Sequence, residues 1–310
     1  MKITALAGGV GGAKLLEGLK ELLEPDELTA IVNTGDDFWH LGLFICPDFD
    51  TILYTLSGVA NPVTGWGIRD DTFITLEKIN KMGGPSWFKL GDQDLATHIL
   101  RTHLKKNGKN LTEISRILSA YFNVSHAILP MTNFEVPTFV RTKQYGEIPF
   151  QEYFVKYRFE PVIEGFIFRN IDNAKPSEEV MKSLRDSDAV IICPSNPFVS
   201  IDPIIHLEGI RSILLEKFVV CVSPIIGGLA IKGPLAKMFH EMNIKPSPSS
   251  IARYYEDFLD MIFIDYQDNE EITKIKRSSI IPIESDIFLP DKESRIRLAK
   301  EILKQIGRKF

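Results

Sequence analysis

Ile3-Thr4-Ala5-Leu6-Ala7-Gly8-Gly9-Val10-Gly11-Gly12-Ala13-Lys14 is the stretch on which the fold turns. Five uncharged residues run into glycine, and Leu15, Leu16, Leu19, Leu22 and Leu23 then recur at helical spacing. That pattern predicts a buried strand, a tight turn and a helix over Ala13 to Leu23. Glycine permits positive φ and lets backbone N–H groups approach phosphate oxygens, and a helix N-terminus adds partial positive charge. Lys14 would place an ammonium near the same phosphates. The turn departs from two familiar patterns. G-x-G-x-x-G needs glycine where Lys14 stands, and the P-loop needs Ser or Thr where Leu15 stands. Glycine at four of the five positions 8–12 exceeds what a bare strand-to-helix turn needs. Gly8, Gly9, Gly11, Gly12 and Lys14 are therefore expected to bind nucleotide phosphates.

Moving outward, Pro25 should stop the helix, and Leu28 to Asn33 supplies a second strand. Ala189 to Cys193, Val219 to Val222 and Met261 to Asp265 read as further core strands. Helical patterns lie at Ser177–Arg185, Leu207–Leu215, Pro234–Met242 and Glu293–Ile306. Strands alternating with helices predict an α/β fold: a Rossmann-like, mostly parallel sheet flanked by helices. Residues 60–185 read differently, with helices at Asp92–Lys105 and Leu111–Phe122 and strands at Thr138–Thr142 and Val162–Phe168. They are expected to form a mixed α+β lobe inserted in, or packed on, the core of a single unit spanning 1–310. No internal repeat or low-complexity linker is visible.

The composition is ordinary, with 44% hydrophobic and 25% charged residues. A formal charge of −5 gives no electrostatic reason to expect nucleic acid. Cys46, Cys193 and Cys221 are too far apart for a disulfide framework or a Cys-based zinc site and read as small buried hydrophobes. No signal-peptide pattern and no apolar run of spanning length appear, so a cytoplasmic protein with no membrane partner is expected.

Polar loops follow the predicted strands. Asn33-Thr34-Gly35-Asp36-Asp37 ends the second, where an open parallel sheet binds ligands. Its acidic pair reads as a Mg²⁺ site, a ribose reader or a helix cap; two acids favour a metal facing phosphates. In Pro47-Asp48-Phe49-Asp50-Thr51, Asp50 either caps the helix beginning at Ile52 or completes a carboxylate cluster with Asp36. Lys89 precedes Gly91-Asp92-Gln93-Asp94-Leu95-Ala96-Thr97-His98, where Asp92 reads as an N-cap and His98 shares a helix face with Arg101. Cys193-Pro194-Ser195-Asn196-Pro197 and Ser223-Pro224-Ile225-Ile226-Gly227-Gly228 would wall a nucleotide pocket, to which Asn33, Ser195 and Asn196 are expected to contribute hydrogen bonds. Neither G-x-S-x-G nor H-E-x-x-H occurs, which argues against a hydrolase triad or a zinc protease.

Taken in order, these loops closely resemble the 2-phospho-L-lactate transferase family of coenzyme F-420 biosynthesis, also called LPPG:Fo transferases. The resemblance covers nearly the whole chain. It implies transfer of a phospholactyl (or enolpyruvyl-phosphate) group from a guanosine diphosphate ester to the deazaflavin alcohol Fo, with GMP leaving and Mg²⁺ required. It further implies homodimers, Fo contacts at Asp50 and Lys89, and a metal ligand at Asp36. Mg²⁺ on Asp36 and Asp50 would then bridge the diphosphate; alternatively, Asp50 would orient the acceptor hydroxyl or take its proton, and the two roles stay open. Trp66, Trp87 and Phe88 offer either a face for the flat deazaflavin or ordinary core packing. Two other readings remain: a non-catalytic relative that binds a nucleotide sugar, and an NAD-dependent oxidoreductase, which Lys14 in the third-glycine position weakens.

Overall fold

The computed structural model describes residues 1–230 and 234–309. Seven strands form the main sheet: β1 (Ile3–Ala7), β2 (Leu28–Val32), β3 (Ala127–Pro130), β4 (Ala189–Ile192), β5 (Phe218–Val222), β6 (Met261–Ile264) and β7 (Ile281–Glu284). Their spatial order is β7-β6-β5-β4-β1-β2-β3, and every neighbouring pair is parallel. The chain therefore builds outward from β1 through β2 to β3, then returns to the other side of β1 and builds outward again. That reversal lies between β1 and β4, the switch point at which Rossmann-like sheets open a crevice.

Every residue of β1 is buried, because both faces of the sheet are covered. Ile3, Ala5 and Ala7 join one core layer, whereas Leu6 joins the other. The first layer is closed by α1 (Gly9–Lys20), α2 (Pro47–Leu56), α5 (Leu111–Tyr121) and the C-terminal helix Lys292–Gly307. Gly18 admits that last helix: a Cβ there would stand 2.2 Å from the Arg295 carbonyl oxygen.

Residues 60–185 are less separate than their sequence suggests. They hold α3 (Ile74–Lys81), α4 (Asp92–Lys106), α5 and a three-stranded antiparallel sheet made by Gly146–Pro149, Thr138–Thr142 and Ile163–Phe168. They also supply β3, an edge strand of the main sheet that the sequence reading missed. Four residues, Ala-Ile-Leu-Pro, carry too little periodicity to announce a strand.

Three helix starts need correction. Helix α1 begins at Gly9 rather than Ala13, so the glycines form its first turn. Asp50 does not cap α2, whose N-cap is Cys46 with Pro47 as first helical residue. Asp92 does not cap α4 either. Gly91 holds that position, and the Asp71 carboxylate arrives from outside to accept from the Gln93 and Asp94 N–H groups at 2.8 and 3.0 Å. A Cβ on Gly91 would lie 2.0 Å from that carboxylate, which explains the glycine.

Candidate active site

The glycine turn is held by two loops from elsewhere in the chain. Gly8 N–H donates to Ser195 Oγ at 3.1 Å, and the same hydroxyl donates back to Gly8 O at 2.8 Å. Gly9, at φ +62°, donates its N–H to Asp48 Oδ1 at 2.8 Å. Added Cβ atoms would meet Asp48 at 2.5 Å from Gly8, the Pro194 carbonyl at 2.1 Å from Gly11 and Ser195 Oγ at 2.8 Å from Gly12. Each of the four glycines thus has a reason within the protein itself. In the same turn, the Val10 and Gly11 N–H groups have no acceptor among the described residues. Since Pro194 and Ser195 fill the β4 side of the crevice, the open ground lies toward β2.

There the acidic loops converge. Asn33 is fully buried and organises them: its amide nitrogen lies 3.1 Å from Asp36 Oδ1, 2.9 Å from Asp48 Oδ2 and 3.1 Å from Val199 O. Its oxygen accepts from Gly35 N–H at 2.8 Å. Gln151 reaches in from the opposite side, Nε2 to Asp36 Oδ2 at 3.3 Å. Burial, then the neighbouring Asp48 charge, pushes the Asp36 carboxyl well above its usual range. Burial likewise lifts Asp48 to about 6, against the bonds from Asn33 and Gly9. Asp37 is also pushed well up by burial, with only the Cys46 thiol and the Arg101 charge opposing. Neither carboxylate oxygen of Asp37 has a well-formed hydrogen bond among the described residues.

Asp50 sits in a second, linked network. Arg101 grips both its oxygens, NH1 on Oδ2 at 3.0 Å and NH2 on Oδ1. Asp50, Asp94 and His98 have the mutual spacing to hold a cation, but the Arg101 guanidinium already bonds Asp50 and lies 3.0 Å from His98 Nδ1. Burial raises the pKa of the Asp50 carboxyl, and Arg101 works against that rise. Asp94 goes the other way: burial is outweighed by His98 and by the bond from Tyr54, and its carboxyl ends below the usual range. Altogether five aspartates (36, 37, 48, 50 and 94) are buried here, against Arg101 as the sole buried Lys or Arg among the described residues.

Beside this cluster opens a cavity of about 220 Å³. Thr34, Asp37, Glu135, Gln151 and Glu152 supply its polar lining, and Phe38, Trp39, Phe44, Trp87, Phe134 and Phe139, with Val136, Pro137 and Pro149, line the rest. Trp87 and Phe88 pack against Phe38 and His40, with ring centroids 4.9–6.1 Å apart. Trp87 therefore reaches the cavity; Phe88 supports it from behind, and Trp66 is not among the lining residues. Lys89 follows this aromatic pair directly and is exposed.

Several residues singled out from sequence thus turn inward. Asn33 and Ser195 spend their hydrogen bonds on the loops, and Asn196 accepts from Phe198 N–H at 3.0 Å to cap the next helical turn. Asp48, Gln151 and Arg101 were not recognised as site residues. The spacing of Asp94, His98 and Arg101, four and three apart on one helix face, was a usable signal for the Asp50 network. Nothing local in sequence marks Gln151.

A parallel Rossmann-order sheet with its ionisable cluster at the carboxyl ends of β1 and β2 defines a Rossmann-like α/β protein with a candidate active site at the switch point. The comparisons place it more narrowly. A family model described as 2-phospho-L-lactate transferase CofD matches residues 3–303, and the chain belongs to this transferase family. It is 38% identical to a 2-phospho-L-lactate transferase of Methanosarcina mazei over 96% of this chain and 98% of that one. It is 36% identical to the Methanocaldococcus jannaschii enzyme of the same name, covering 98% of each. A Thermobifida fusca phosphoenolpyruvate transferase is 39% identical over 88% of each chain. In fold, the chain matches a Bacillus halodurans crystal structure with a TM-score of 0.63 at 16% identity, covering 97% of this chain and 99% of that one. Among the described residues no helix is long and apolar enough to cross a membrane.

Proposed function

We propose that the protein transfers a 2-phospho-L-lactyl or enolpyruvyl-phosphate group from a guanosine diphosphate ester to the deazaflavin alcohol Fo, releasing GMP, in coenzyme F-420 biosynthesis. The observation that carries this reading is the aromatic cavity opening on Asp37 beside the buried carboxylate cluster. A flat ring suits the aromatic walls, with Trp87 as its stacking partner and Lys89 at the adjoining segment to meet a polar substituent. The Val10 and Gly11 N–H groups and Lys14 receive the donor phosphates, while Asn33, Ser195 and Asn196 shape the loops around them.

Five buried aspartates against one buried arginine form a donor set that fits a hard divalent cation, because oxygen ligands suit Mg²⁺ and the uncompensated carboxylates favour it. Asp36 and Asp37 would hold it, and Asp37 has both oxygens available. Asp50, with both oxygens on Arg101, serves acceptor recognition instead. When bound, Mg²⁺ would neutralise phosphate charge and stabilise the departing GMP.

In the transfer, an acceptor hydroxyl oxygen forms a bond to the phosphorus carrying the lactyl group, and the bond from that phosphorus to the oxygen of GMP breaks. The hydroxyl proton leaves to a site carboxylate. The protein contributes mainly alignment and charge placement, which such displacements need more than covalent catalysis. Asp50 orients the hydroxyl, and the aromatic walls fix the ring and exclude water.

A homodimer is part of the proposal. Helix α3 buries no residue in the single chain, while Val63, Ile74 and Met82 are 61–87% exposed around it. Light scattering at micromolar concentration reads the assembly directly. The central experiment is incubation with the guanylyl donor, Fo and Mg²⁺, with chromatography for the phosphodiester product and GMP. Tight NAD binding without Fo binding would sink the transferase reading.

A further inference from the structure

We propose that Arg101 is a positioning residue for the acceptor, presenting the Asp50 carboxylate in one fixed orientation through a two-pronged guanidinium grip. The inference rests on the reading that Asp50 meets the acceptor.

Its basis is a chain of side chains that each leave the next a single arrangement. Helix α4 carries Asp94, His98 and Arg101 along one buried face. Tyr54 OH donates to Asp94 Oδ1 at 2.6 Å, and His98 Nε2 lies 3.2 Å from the same oxygen. A guanidinium can only donate, so the 3.0 Å approach of Arg101 NH1 to His98 Nδ1 requires a lone pair there. The ring therefore turns its Nδ1 lone pair to Arg101, and Nε2 lies near Asp94 without a well-aligned hydrogen bond among the described residues. Arg101 is thus held by His98 on one side and passes two N–H groups to Asp50 on the other.

Planarity matters in this arrangement as much as charge. A guanidinium matches both oxygens of a carboxylate at once, whereas an ammonium is a point charge that fixes neither rotation nor direction. Arg101 is 1% exposed and Asp50 5%, so water cannot replace the missing prong. A purely structural ion pair would show itself in stability alone, since breaking a buried pair is costly whatever the site does. A positioning role predicts a loss confined to one substrate.

The test uses the full chain with Arg101→Lys, Asp50→Asn and the double variant, measuring Fo and GDP affinity by calorimetry and KM for Fo and for the donor. Arg101→Lys should weaken Fo binding at least tenfold and raise its KM, leaving GDP affinity within about twofold. Asp50→Asn should weaken Fo similarly, and the double variant should be no worse than the weaker single one. Arg101→Gln serves if the lysine variant folds poorly, and should show the same loss confined to Fo. Unchanged Fo affinity in Arg101→Lys, equal losses for Fo and GDP, or additive losses in the double variant would overturn the proposal while the acceptor reading stands. Unchanged Fo affinity in Asp50→Asn would instead remove the acceptor reading and this proposal with it.

Discussion

Ionising Asp48 should cost the ligand-free protein stability, and the structure sets the size of that cost. The carboxyl lies at about 6 in the folded chain against an ordinary 3.8, because burial disfavours its charge more than Asn33 and Gly9 relieve it. The folded state therefore holds this proton more tightly than the unfolded state. Its contribution to stability is fully present below about pH 4 and is lost as pH rises through 6. A difference of about 2.2 pH units corresponds to about 3 kcal/mol. With about 2.1 cal/mol/K of unfolding entropy per residue over a chain of this length, that equals a midpoint shift of about 5 °C. Urea unfolding of the natural protein and Asp48→Asn, from pH 4 to 7.5 with a chelator present, isolates the effect. Asparagine keeps an oxygen for Gly9 N–H but cannot ionise. Across that range the natural protein should lose about 2.4 kcal/mol more than the variant, nearly all of it below pH 6.5. Parallel curves would refute the argument that desolvation governs this carboxylate.

Other outcomes follow from the same geometry. Gly11→Ala drives a methyl against the Pro194 carbonyl and should cost about 1–3 kcal/mol in urea unfolding; natural stability would show that the β4 loop yields freely. Asp71→Ala removes the cap of α4 and should cost about 1 kcal/mol, read as a lower thermal midpoint, with no loss if water caps the helix equally well. Millimolar Mg²⁺ should raise the midpoint of the natural protein at pH 7.5 and raise it less in Asp36→Asn or Asp37→Asn. Equal shifts in all three would place the cation elsewhere.

The main architecture was legible because its strongest signals are local. β1 is a continuous apolar run that ends in glycine, and the leucines of α1 repeat at helical spacing, so the β-turn-α unit needs no tertiary information. The strands Ala189–Ile192 and Phe218–Val222 are similarly apolar and each is soon followed by proline, whereas β7, with Pro282 and Glu284 among its four residues, went unread. What failed was local signal too short or too ambiguous: β3 has four residues, and each helix start after Cys46 and Gly91 had a tempting aspartate one or more places too late. In the site, Asp36 and Asp50 were visible as chemistry-bearing residues, but their partners were not. Gln151 lies 115 positions from Asp36, and the Asp50–Arg101 pair spans 51, distances at which spacing carries no information. The glycine turn shows the opposite limit. Its composition suggested a ligand, yet three of its glycines are already required by Asp48, Pro194 and Ser195.

The reciprocal pair of hydrogen bonds between Gly8 and Ser195 joins positions 187 residues apart, and the helix behind that turn is covered by Lys292–Gly307. Long closures of this kind are slow, because chain entropy is lost before the contacts repay it. During synthesis, β1, β2 and β3 can pair early, but the turn at Gly8 has no Ser195 to lock onto until β4 has emerged. Helix α1 stays uncovered on one flank until Lys292–Gly307 is made. Assembly of the site is thereby postponed until Lys292–Gly307 has been made, so chains stopped short of that helix should be prey for proteases rather than partly active enzymes.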